Sequence, residues 1–119
     1  MTHTNIEQSQ ELIQLGLSDT TADMHIFTLE NKEEYFYYAA EFYSKFVIPC
    51  WSTERLLSLL PQTIFINNSI QYKLKILRNN NKWIISYEDF DFIIFIESKE
   101  SLFEVLFLTI KWLIKNKHI

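Results

Sequence analysis

The stretch Ser101-Leu102-Phe103-Glu104-Val105-Leu106-Phe107-Leu108-Thr109-Ile110-Lys111-Trp112-Leu113-Ile114-Lys115 decides how the chain folds. Ser101 suits a helix N-cap, Glu104 falls in the first turn, and Lys111, Lys115 and Lys117 lie toward the end, so every charge complements the helix dipole. At about 100° per residue, Glu104, Leu108, Lys111 and Lys115 share one narrow stripe. The rest of the wheel is apolar apart from Thr109. A surface helix needs an apolar stripe only a little over ~100° wide, and this one is about twice that. A long C-terminal helix central to the core, covered on more than one side, is therefore predicted.

Working back along the chain, the pattern is that of strands. Residues 92–96 are apolar on both faces and read as a strand inside a sheet or against a partner. Residues 63–66 and 70–77 flank a turn at Asn67-Asn68-Ser69, and residues 83–87 pair back after Asn79-Asn80-Asn81-Lys82. With a single glycine in the chain, asparagines must take the turn positions that glycine usually fills. Ser52 fits the N-cap of a short helix running to Pro61, with Trp51 stapled to Leu56 and Leu56, Leu57, Leu59 and Leu60 buried. Trp51, Leu56 and Leu60 are expected to pack as core under the C-terminal helix. Residues 31–46 carry Tyr35, Phe36, Ala39, Phe42, Tyr43 and Phe46 at helical spacing and are read as helix, although the same density fits a strand and loop. Residues 25–29 alternate weakly like a strand. Ile6 to Leu15 reads as an amphipathic helix stopped by Gly16, and residues 1–4 as frayed. The predicted fold is α+β: one domain, 1–119, with helices packed on a small antiparallel β-meander.

Composition narrows the possible functions. At 119 residues, 48% of them hydrophobic and 16% aromatic, the chain can bury a core and is not disordered. Its apolar runs are short and broken by charge, so no membrane span is expected. The first residues lack the basic and apolar regions of a signal peptide. A lone Cys50 cannot form an internal disulfide and suits a reducing cytoplasm. A net charge of −4 disfavours phosphate-backbone binding.

Few residues suggest chemistry, and each has a plainer explanation. Asp23 and His25 stand two apart, as metal ligands on a strand can, but two ligands do not make a site, and His3 and His118 lie near the ends. Cys50 reads as an inert buried thiol. Glu88, Asp89, Asp91, Glu97 and Glu100 bracket strand ends, where solvated acids are common. Lys73, Lys75, Arg78 and Lys82 form a basic edge beside Tyr72 and Trp83, which fits a nucleic-acid platform or an ordinary protected edge strand. One glycine rules out a glycine-rich phosphate loop.

Several stretches together resemble a family of small uncharacterised proteins encoded by phages and mobile elements of gut bacteria. They are Ser9-Gln10-Glu11-Leu12-Ile13-Gln14-Leu15-Gly16-Leu17, Thr21-Ala22-Asp23-Met24, and Ile48-Pro49-Cys50-Trp51-Ser52 through Leu56-Leu57 to Leu60-Pro61. The closing Trp112-Leu113-Ile114-Lys115-Asn116 completes them. The resemblance implies an intracellular protein in an infected or element-bearing cell, and brings no activity or cofactor. Many members of that family carry Ala where Cys50 stands. Surplus apolar area without an assembled chemical site leads to one expectation: a non-enzymatic protein that binds another protein, or itself as a homodimer. Leu108, Trp112, Phe107, Ile114 and Phe95 are its candidate interface. The alternative is a small-ligand or nucleic-acid binding module using Tyr72, Lys73, Lys75 and Trp83, and an enzyme using Asp23, His25 or Cys50 ranks third. No cofactor or metal is expected.

Overall fold

Capping and alternation set most of the elements. The structure is a computed structural model describing residues 2–29, 32–36, 47–67 and 69–119. The chain divides into two compact units, Met1–Ser58 and Leu59–Ile119.

The first unit opens with α1 (Ile6–Leu15). Asn5 Oδ1 accepts the Gln8 N–H at 2.8 Å, and Gln8 Oε1 accepts the Asn5 N–H at 3.0 Å, a reciprocal capping box. Gly16 ends the helix at φ 115°, a left-handed angle that costs a residue without Cβ little. A turn of 3₁₀ helix at Asp19–Thr21, capped by Ser18, leads into the sheet. Its three antiparallel strands are β1 (Met24–Leu29), β2 (Lys32–Phe36) and β3 (Val47–Cys50), in the order β2-β1-β3. The helix read over residues 31–46 is corrected for Lys32–Phe36, which pairs with β1 from Leu29↔Lys32 to His25↔Phe36. The rest of that block lies outside the described residues. β3 has no counterpart in the sequence reading, and Pro49 is tolerated there because β3 is an edge strand.

Residues 2–4 are not frayed. Thr4 is fully buried; its N–H donates to the Trp51 carbonyl at 2.9 Å, and the Thr53 N–H reaches the Thr2 carbonyl at 2.9 Å. α2 (Thr53–Ser58) follows, with Ser52 Oγ accepting the Arg55 N–H at 3.1 Å. Trp51 and Leu56 are fully buried, but Leu57 is 41% exposed, since a helix this short has only one side to bury.

The second unit is the anticipated meander. β4 (Thr63–Ile66), β5 (Ile70–Asn79), β6 (Lys82–Glu88) and β7 (Ile93–Lys99) pair antiparallel in sequence order, and α3 (Leu102–Lys115) packs on β6 and β7. Phe103, Val105, Leu106, Ile110 and Leu113 are essentially buried, so the C-terminal helix is central to its core. β7 continues through Lys99 and forms the sheet edge, not its interior. Asparagines do stand in for glycine. Asn67 has φ 55°, and Asn80 and Asn81, at 52° and 62°, make the two-residue β5–β6 turn, whose paired positive angles match the twist of a hairpin.

Two stability effects follow. Asn81→Gly should stabilise the protein by up to about 1 kcal/mol, because Asn-Gly suits this turn best, whereas Asn81→Val should destabilise it by about 1–2 kcal/mol. Equal denaturation midpoints for all three would refute the turn assignment. Trp51→Ala should cost about 3–5 kcal/mol, and an unchanged melting temperature would revive a binding role for Trp51.

Candidate functional site

The residues around Cys50 form a structural knot. The Asp23 carboxylate accepts the Ser52 N–H at 2.9 Å on one oxygen and the Ser52 hydroxyl on the other. Trp51 Nε1 donates to Thr21 Oγ1 at 2.9 Å, and its backbone N–H to Thr4 Oγ1 at 3.0 Å. Thr4 Oγ1 and Ser9 Oγ are 2.8 Å apart. Asp23 therefore orients the residue that caps α2. His25 is buried in β1, and Cys50, opposite Met24, is packed with Met24 and Ile26. Burial pushes the Cys50 thiol up to about 12, with the negative charge of Asp23 adding to the shift. A thiol held neutral is a poor nucleophile. Among the described residues, no three His, Cys, Asp or Glu side chains gather as metal ligands would.

Alternation also governs the basic residues. Lys73 and Lys75 of β5 lie opposite Glu88 and Ser86, on the sheet face away from α3, whereas Tyr72 and Leu74 share the covered face with Ile85 and Tyr87. Tyr72 is buried, and Trp83 lies under the Arg78 guanidinium at 5.6 Å. The basic edge read from the sequence is divided: β4 pairs β5 only over Ile70–Lys73, so Lys75 and Arg78 lie on a stretch of β5 beyond β4, while Lys73 and Lys75 point to the face opposite Tyr72. A shallow hollow of about 490 Å³ lies beside Lys73, Lys75, Glu88, Asp89 and Phe90. Glu88 is held there by Lys75 at 3.4 Å and by the Ser86 hydroxyl at 3.2 Å. Asp89 Oδ1 accepts the N–H groups of Asp91 and Phe92, so its carboxylate shapes the β6–β7 turn.

The apolar interface expected on the helix is not where apolar surface is open. Phe107 and Ile114 are each 8% exposed. Trp112 packs at a tilt against Phe95, with ring centres 4.6 Å apart, and stacks with Tyr87 at 6.0 Å, inside the sheet–helix layer. Leu108 keeps only partial exposure. The most exposed apolar group in sequence lies along β7 and the turn before it, with Phe90 and Phe92 exposed and Ile93 and Ile96 each 55% exposed; Phe65 on β4 and Ile70 and Leu77 on β5 are exposed as well. A bulge at Tyr87/Glu88 aligns Ile93 with Glu88 and Ile96 with Ser86, so two isoleucines three apart share the outer face. The run 92–96 carries the hydrophobic signal in the sequence, but the bulge that pairs the isoleucines leaves none.

Comparison with protein-family models, curated proteins and solved structures yields no match to this chain. No helix among the described residues is long and apolar enough to cross a membrane.

Cys50 should react slowly with a thiol reagent at neutral pH, at a rate that tracks unfolding, and quickly in denaturant. Its raised folded value means the related stability is complete below about pH 9 and is lost as pH rises toward 12. Rapid labelling of the native protein at pH 7 would contradict this.

Proposed function

We propose that the chain is a non-enzymatic protein-binding module whose contact surface is the β7 edge of the meander with the turn at residues 89–92. The supporting observation is the row Phe90, Phe92, Ile93 and Ile96, four large apolar side chains more than half exposed on neighbouring positions. Exposed apolar residues scattered singly are ordinary, but a contiguous group beside an open sheet edge is typical of an interface. The nucleic-acid alternative has less support, since Lys75 is paired with Glu88 and Tyr72 is buried. An intracellular, cytoplasmic role in a bacterial cell carrying a phage or mobile element follows from the sequence resemblance and the lone buried cysteine.

The paired substitution Ile93→Lys with Ile96→Lys tests this reading. Both sites are exposed, so stability should change by no more than about 0.5 kcal/mol per site. A protein captured in stoichiometric amount from bacterial lysate by the native chain should be lost by the variant. Equal capture by both would remove β7 as the contact surface.

A further inference from the structure

Resting on that reading, we propose that β7 takes up an extended segment of a partner protein as a fifth, antiparallel strand, its apolar centre flanked by lysine or arginine. The sheet has two edges. On one side β4 has four residues and pairs only Ile70–Lys73 of β5, and the β5 stretch beyond it carries Lys75 and Arg78, whereas β7 on the other side has seven residues and pairs only with β6 among the described residues. An edge strand presents N–H and C=O groups that only another extended backbone satisfies in series. Natural edges are commonly blunted by proline, inward charge or central lysine. β7 has no proline and no central lysine; an inward charge, Glu97, lies opposite Ile85, and Lys99 stands at its end.

Side chains specify what the added strand carries. Residues opposite Ile93 and Ile96 join the outer face beside two half-exposed isoleucines, which calls for apolar groups. Both ends of the edge are acidic: Asp89 and Asp91 precede it, Glu97 and Glu100 lie at its far end, and Lys99 is the one basic residue between Asp89 and Glu100. Lysine or arginine at both ends of the incoming segment complements them. A second copy of β7 brings the same acidic excess against itself, in a chain of net charge −4, and fits less well.

The test uses the whole protein and three synthetic peptides sharing one alternating Val–Thr centre. The first carries lysines at both ends, the second glutamates, and the third is the lysine peptide with alternate amides N-methylated along one edge. The lysine peptide should slow exchange of the outward β7 amides at least tenfold, with at least tenfold weaker binding by the glutamate peptide, the N-methylated peptide and the I96K protein. Binding without amide protection, equal binding of the N-methylated or glutamate peptide, or no binding would overturn strand addition. So would outward amides already protected in a peptide-free dimer, which would make the second copy the occupant. If strand addition fails while the Ile93/Ile96 variant still loses a captured protein, β7 remains a docking face and only the mode of contact is wrong.

Discussion

Tyr87 holds the second unit together. Its ring is fully buried on β6 near Trp112 of α3, and its hydroxyl donates to the Pro61 carbonyl at 2.6 Å, at the entry to β4. One side chain thus links the helix, the middle of the sheet and the chain's entry into the meander. A buried hydroxyl without a partner would be costly; here it is satisfied by a backbone acceptor. Burial also pushes the Tyr87 phenol above its ordinary value, which keeps it a donor through the alkaline range. With Tyr87 and Ile85 committed to α3, alternation sends Ser86 and Glu88 to the opposite face, where the ion pair with Lys75 and the exposed isoleucines lie.

Elements with local signals were legible in the sequence. Gly16 stops α1, Ser101 starts α3, and the asparagine turns join β4, β5 and β6, each because the relevant hydrogen bond or dihedral involves residues close in sequence. Of the first sheet only β1 was legible, from the weak alternation of residues 25–29. Tyr35 and Phe36 suit either period, and their strand exists through pairing with β1. β3 was not read at all, because Pro49 is compatible with a strand only at a sheet edge and nothing in the sequence marks that place. The candidate surface was half legible: the apolar run at 92–96 was evident, but its place at the edge is fixed by strand order, and the wide apolar arc of α3 drew attention to side chains that the fold buries.

Two separate stretches of the sequence meet in the polar knot of the first unit. Thr21 and Asp23 come from one, Trp51 and Ser52 from the other, and their side chains bond to each other. Each residue type there has a structural task. Trp fills the core and donates one hydrogen bond, Asp accepts two, and Ser links Asp23 to the start of α2. Cys50, beside them, contributes volume to an apolar cluster, a task that a small apolar residue can share.

The sequential order of the meander also governs how quickly each part of the chain forms. Every strand pair from β4 to β7 joins neighbours in sequence, so closing those hairpins costs little loop entropy and favours rapid assembly. The first unit is different: Met24 pairs with Cys50, and Thr4 waits for Trp51, forty-seven positions away. During synthesis, however, the slower half emerges from the ribosome first. It therefore has a head start on the faster half, in which β7 is the last of the described strands to be made and pairs only with β6 among them.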